Sequence, residues 1–442
     1  MGVTELARPT TSLLRLATAG SVDDGKSTLV GRLLHDSKSV LADQLAAVER
    51  VSQAKGLGHV DLALLTDGLR AEREQGITID VAYRYFATPA RTFILADCPG
   101  HVQYTRNTVT GSSTADVLVL LVDVRKGVLE QTRRHLAVAA LLRVPTVVVA
   151  VNKIDLVDYA EAPYAAVADQ LAAIAAGVGI SDVRTLPVSA LAGDNVVTRS
   201  EHTPWYSGPS LLELLEDLPA ATEEAAGFRF PVQLTLRPQE AARDPRYVEY
   251  RGYAGRITAG SVRPGDPVVV LPEGVHTHVT GIDFAGEELD RASAGQSVAL
   301  RLADEVDVTR GELISSVQDA PVPVTELDAM VCWLSERPLL PGARVLLKHG
   351  TRTVQARVGE IVAGLDLDEM APQEAERLTL NDIGRVRIRL AAPVMAEDYT
   401  RSRRGGSFLL IDPQTQGTLA AGMIRGHEVF GNDFDPSQEW SI

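Results

Sequence analysis

Eight residues near the start of the chain restrict the fold more than any other segment. Gly20-Ser21-Val22-Asp23-Asp24-Gly25-Lys26-Ser27 follows the apolar run 13–19 and leads into a helical pattern. This is the spacing G-x-x-x-x-G-K-[ST], set between a strand and a helix as it must be. Glycine at both ends lets backbone N–H groups turn toward one point, and converging N–H groups hold phosphate oxygens. Lys26 is expected to reach the β- and γ-phosphates, and the Ser27 hydroxyl to ligate magnesium. The following helix presents its positive N-terminal end to the anion.

The surrounding pattern agrees. Apolar runs at 13–19, 92–97, 116–123, 146–151 and 185–188 read as buried strands. Segments 130–142, 164–176 and 210–218 read as helices, and Leu41, Leu45, Val48 and Val51 add a stripe at helical spacing. Strands alternating with helices predict an α/β domain with a mostly parallel sheet covered on both faces. Near residue 225 the texture changes. Short strand-like runs appear between Gly, Pro and Asp, and Arg263-Pro264-Gly265-Asp266 predicts a tight turn. This spacing predicts an all-β barrel or sandwich, with a second β region from 321 holding strands at 344–348, 353–360, 383–390 and 408–412. Residues 365–378 read as a loop or short helix between strands. Arg385, Arg387 and Arg389 alternate on one strand face and read as solvated, with a partner-facing stripe as the alternative. The expected domains are 1–222, 228–318 and 321–428, followed by a loose tail, 429–442.

Three further motifs sit where strands end. Asp97-Cys98-Pro99-Gly100 closes the run 92–97. An Asp there can hold a magnesium-bound water, and Gly100 lets the backbone approach a γ-phosphate. Cys98 reads as a small packing residue. Asn152-Lys153-Ile154-Asp155 closes the run 146–151. The Asp155 carboxylate can accept two hydrogen bonds from the N–H groups of guanine's Watson–Crick edge, a pair that adenine cannot supply. Asn152 can bond the other edge of the base, and the Lys153 stem can cover the ring. Ser189-Ala190-Leu191 follows the run 185–188, where a backbone N–H could meet the guanine carbonyl. Open α/β sheets bind ligands at the carboxyl ends of their strands, so the ordered set of four motifs points to GTP with Mg2+.

Bulk properties exclude other classes. The two cysteines, Cys98 and Cys332, form no disulfide framework, so a reducing, cytoplasmic setting is expected. No secretory leader is expected. The longest apolar strand is far too short to span a bilayer, so no membrane partner is expected. A formal net charge of −15 disfavours nucleic acid as a partner.

Together these motifs resemble those of translation-factor GTPases. Asp67 to Ile79 is similar to their first switch region, which implies that Thr78 ligates magnesium in the GTP state. His101, directly after Asp-x-x-Gly, is implied to orient the attacking water, with Val22 and Ile77 as the apolar pair beside it. Asp23 matches a phosphate-loop acid that helps hold a monovalent cation or the loop. Within this group the stretch from Gly20 through Thr28 to Lys38, with Ser21 and Asp24, resembles the GTPase (large) subunits of bacterial sulfate adenylyltransferases. So do residues 101–111, 125–135, 151–159 and 203–209. The resemblance implies two β-barrel domains after the GTP-binding domain. It also implies a heterodimer or higher assembly with a smaller catalytic subunit, which forms adenylyl sulfate from ATP and sulfate while GTP hydrolysis drives the step. Some members carry a fused adenylyl-sulfate kinase domain, which is not expected here. An elongation factor acting with tRNA and ribosome would share the same three-domain plan and is the alternative.

Overall fold

The computed structural model describes residues 12–38, 42–54, 60–65, 81–99, 105–219, 227–241, 244–366 and 371–425. The chain divides into two compact units, with the division falling between Ala221 and Thr222.

The first unit is built on a six-stranded sheet in the order β2-β3-β1-β4-β5-β6. Its strands are β1 (Leu13–Gly20), β2 (Ala82–Ala87), β3 (Thr92–Asp97), β4 (Val117–Asp123), β5 (Thr146–Asn152) and β6 (Val183–Pro187). All neighbours are parallel except β2, which runs antiparallel to β3 at the edge. Every residue of β4 and of β5 is buried, as the unbroken apolar runs require of strands covered on both faces. The helices are α1 (Lys26–Asp36), α2 (Ala42–Ala54), α3 (Thr105–Ser112), α4 (Glu130–Leu141), α5 (Glu161–Gly177) and α6 (Leu211–Asp217). Ser210 starts α6 with a capping box: its hydroxyl accepts from the Glu213 N–H, and the Glu213 carboxylate accepts from the Ser210 N–H. Strand β2 and helix α3 were not legible in the sequence. Tyr83 and Tyr85 leave β2 half-exposed, so it lacks an apolar run, and α3 is short and polar. The α2 stripe is only partly core: Val48 is buried, Val51 is exposed, and Leu41 lies outside the described residues.

The second unit holds two six-stranded antiparallel barrels. The first runs Pro267–Leu271, Leu313–Ser316, Arg229–Leu236, Gly252–Arg256, Ser297–Leu302 and Val275–Phe284, which pairs back to Pro267–Leu271. The second runs Arg344–His349, Ser407–Ile411, Thr418–Ile424, Pro323–Trp333, Ile383–Met395 and Arg352–Asp366, closing on Arg344–His349. Closure removes exposed strand edges, and each barrel encloses its own apolar core. The turn at Arg263–Asp266 forms as expected: the Asp266 N–H donates to the Arg263 carbonyl at 3.1 Å and Gly265 has φ of 95°. Two readings are corrected. The reading of 365–378 as a loop or short helix holds only in part: the strand continues to Asp366 and Ala371–Gln373 adds a short strand beside it, while 374–377 are irregular. Arg385 is buried rather than solvated, because Asp328 on the neighbouring strand, itself buried, grips its guanidinium with bonds of 2.8 and 2.5 Å. Arg387 and Arg389 are exposed and pair with Glu360 and Glu326.

Candidate functional site

The carboxyl ends of β1, β3, β4 and β5 lie level. Thr18 stands opposite Asp97 in the β1–β3 register, and Asp123 opposite Asn152 in the β4–β5 register. Everything the motifs place at strand ends therefore arrives along one rim.

The loop from Gly20 to Gly25 is folded by its own residues. The Ser21 N–H donates to Asp24 Oδ2 at 2.9 Å, while the Asp24 N–H returns to the Ser21 carbonyl at 3.3 Å. Asp23 and Gly25 adopt left-handed backbone, with φ of 66° and 95°. Gly25 is required twice over, since a Cβ there would stand 2.4 Å from Asn152 Nδ2. Lys26 opens α1, is buried, and donates to the Gly20 carbonyl at 3.1 Å. Burial pushes its ammonium below the usual lysine range, and Asp97 and Asp24 push it back up. Ser27 and Thr28 follow in the first turn, half-exposed. Val22 and Asp23 project outward, exposed.

Asp97 is buried at the end of β3, where Thr18 Oγ1 donates to its Oδ1 at 2.9 Å. Cys98 is fully buried, and burial pushes its thiol well up; it packs against Gly111 and is no reactive thiol. Gly100, His101, Thr78 and Ile77 lie outside the described residues.

Asn152 joins three segments. Its Nδ2 donates to the Asp24 carbonyl at 2.7 Å, and its Oδ1 accepts from the Ala190 N–H at 2.9 Å. One buried amide therefore ties the phosphate-type loop to Ser189-Ala190-Leu191. Lys153, with φ of 64°, donates to the Asp23 carbonyl and lies 3.1 Å from Asp123 Oδ2. Asp155 follows, half-buried, and accepts no hydrogen bond from the described residues. The Ser189 hydroxyl accepts from the Ala192 N–H at 3.1 Å. Arg32 of α1 donates to the Ala190 and Leu191 carbonyls, holding that turn over the first helix, while the Leu191 side chain stays exposed.

Sequence reasoning missed three supporting residues. Asp123 ends the wholly apolar β4, and a carboxylate closing such a strand is the signal that could have found it. Burial would raise it, but bonds from Arg125 and Lys153 outweigh that and hold it far below the carboxylate range. Lys126, three residues on from Asp123, reaches the Val22 carbonyl at 3.5 Å and Asp24 Oδ1 at 3.9 Å. His135 is buried on α4 and hydrogen-bonds the Gly20 backbone beneath the loop. Burial first, then the Lys26 charge, push its imidazole down to about 3, so it is neutral at physiological pH. A lone histidine in a helix carries no motif, and only packing shows its role.

Family comparisons agree with this geometry. Residues 11–221 match the elongation factor Tu GTP binding domain, and residues 326–425 match the GTP-eEF1A C-terminal domain-like family. The chain is 51% identical over 417 residues to the bifunctional enzyme CysN/CysC of Mycobacterium tuberculosis, covering 94% of this chain and 67% of that one. It is 46% identical to sulfate adenylyltransferase subunit 1 of Alteromonas mediterranea and 47% identical to that of Bacteroides fragilis, covering 93% of this chain and 86% of each relative. The chain belongs to the sulfate adenylyltransferase subunit 1 family. In this member of the family, the GTP-binding type of domain is the first unit and the barrels form the second. The chain spans about two thirds of the length of its bifunctional relative and most of the length of its subunit 1 relatives. Among the described residues no helix is long and apolar enough to cross a membrane.

Proposed function

We propose that this chain binds GTP with magnesium in the cradle around Lys26 and hydrolyses it. We further propose that hydrolysis drives adenylyl sulfate formation from ATP and sulfate on a smaller catalytic subunit assembled with it in the cytoplasm. The single observation that carries the nucleotide reading is the pair of hydrogen bonds of Asn152, which closes the base-type motif onto the phosphate-type loop and the Ser189–Leu191 turn. The sulfate half is supported by the names of relatives that match most of this chain.

In this reading the loop from Gly20 to Thr28 and the Lys26 ammonium bind the phosphates. Ser27 and Asp97 fit a magnesium ion: both offer hard oxygen donors, and Asp97 is already oriented by Thr18. Asp97 would act through a bound water, and Thr78 would complete the set. The chemistry that ion supplies is neutralisation of charge on the β- and γ-oxygens. Asp155 takes the guanine N–H pair, the Lys153 stem covers the ring, and the Ser189–Leu191 turn meets the guanine carbonyl. His101 orients the water in line with the γ-phosphate. The domain limits 1–222, 228–318 and 321–428 belong to the same proposal.

Titration calorimetry with GTP and ATP on the folded chain tests the site. Selective GTP binding is expected, and equal affinity for ATP contradicts the reading. Adding the small subunit and measuring GTP-dependent adenylyl sulfate synthesis tests the coupling.

A further inference from the structure

The segment between the Ser189–Leu191 turn and α6 forms a polar and aromatic cluster that the proposed nucleotide roles do not use. Asp194 is its hub. Its Oδ2 accepts from the Tyr159 hydroxyl at 2.9 Å, and its Oδ1 accepts from Ser200 Oγ at 2.6 Å and lies 3.0 Å from His202 Nδ1. Burial would raise this carboxyl, but the bonds from Ser200, His202 and Tyr159 outweigh it and hold the group below the usual range. Asp194 also grips by its main chain: its carbonyl accepts from the Ser189 N–H at 3.1 Å. The next residue, buried Asn195, fixes the segment to the end of β6. Its Nδ2 donates to the Pro187 carbonyl and to Thr203 Oγ1, both at 3.0 Å.

Tyr159 is held at three points. Its hydroxyl is on Asp194, its carbonyl accepts from Trp205 Nε1 at 2.8 Å, and its ring centroid lies 4.7 Å from that of His202. It ends the turn that carries Asp155, and its N–H donates to the Ile154 carbonyl at 3.0 Å. Asp158 and Tyr159 have φ of 53° and 56°, a left-handed pair that non-glycine residues keep only where tertiary contacts hold them.

We propose that Tyr159 and Asp194 form a clamp that fixes the spacing of the two base-facing segments, the Asp155 turn and the Ser189–Leu191 turn, and so sets guanine selectivity and the residence time of the nucleotide. This rests on the GTP reading above. The two segments leave neighbouring strands β5 and β6 and are tied at their roots, by Asn152 to Ala190 and by the Ile154 N–H to the Val188 carbonyl at 3.3 Å. Ties at the roots alone leave a hinge, and ties at the far ends remove it. Recognition by in-plane hydrogen bonds loses much of its strength when its groups are displaced by a fraction of an ångström, so that hinge matters. Tyr159 and Asp194 are positioning residues, since they act through Asp155 and Ser189.

The test uses the full chain and ribose-labelled fluorescent GDP and IDP, with release followed by stopped flow. Tyr159→Phe removes one hydroxyl and keeps the ring. It should release GDP about tenfold faster and shrink the preference for guanine over hypoxanthine by a similar factor, the effect of one lost hydrogen bond to a charged group. The ratio of GTP to GDP affinity should not change, because the phosphate side is untouched. Asp194→Ala should behave alike, and the double variant should be no worse than Asp194→Ala, the mark of a shared interaction. Unchanged release and base preference overturn the clamp. So does an altered GTP-to-GDP ratio, or additive losses in the double variant, which would mean general loosening of the domain. A wild-type chain that binds neither nucleotide overturns the GTP reading itself and is distinguishable from all of these.

Discussion

Gly25 shows how little room the site leaves a single residue. Gly25→Ala would force a left-handed backbone on a residue with a side chain and drive its methyl into the Asn152 amide, 2.4 Å from the ideal Cβ. The strain alone costs roughly 1–2 kcal/mol. GTP affinity is expected to fall at least about tenfold, as calorimetry would show, because the amide that joins the two motifs must move. Asp155→Asn keeps the shape but replaces a double acceptor with an amide. The variant should shift preference from GTP toward XTP by about tenfold or more in competition binding; a retained preference for GTP would remove Asp155 from the base contact. His135 carries a pH prediction. Its folded value of about 3 lies below the ordinary 6.5, so the unfolded chain takes up a proton that the folded chain refuses. Stability from this group is complete above pH 6.5 and lost below it, by about 1.4 kcal/mol per pH unit at most. His135→Gln should flatten the decline of the first unit's urea midpoint between pH 6.5 and 5, and an unchanged slope would count against this assignment.

At the scale of elements, strand pairing decides which side chains meet. Four motifs separated by tens of residues share one rim because β1, β3, β4, β5 and β6 are parallel and their carboxyl ends all point the same way. In the second barrel, alternation along Ile383–Met395 correctly puts Arg385, Arg387 and Arg389 on one face. Alternation does not say which part of that face is covered. Arg385 and Asp328 are both buried, so removing one partner strands the other charge. Arg385→Met should cost roughly 3–5 kcal/mol in the second unit's unfolding, measured by denaturant titration. The double replacement Arg385→Met with Asp328→Leu should recover most of that loss, and failure to recover would mean the pair also has partners that apolar groups cannot replace.

Taken as a whole molecule, the chain pairs one nucleotide-type unit with two closed barrels and a net charge of −15. Elongation factors share this plan, so architecture alone does not choose the partner. The prediction at this scale is that the small catalytic subunit stimulates GTP turnover at least about tenfold and ribosomes do not, since completing a phosphoryl-transfer site from another chain is worth more than that. Steady-state phosphate release with each partner added in turn decides it, and stimulation by ribosomes alone would reverse the assignment.

The loop from Gly20 to Lys26, Asp97 and Asn152 at strand ends, and the Pro264-Gly265 turn stand where the sequence put them. Each depends on chemistry contained within a few neighbours: missing Cβ atoms, a fixed proline dihedral, an apolar run ended by a polar group. So did the division into an α/β part and an all-β part, because side-chain periodicity is a local property. Folding alone decided that Asn152 bridges Asp24 and Ala190, that His135 lies under Gly20, that Asp123 holds Lys153, and that Arg385 is buried. These are contacts between residues far apart in the chain, and burial and hydrogen bonding there follow from which surfaces the backbone brings together, a quantity with no signature in local sequence.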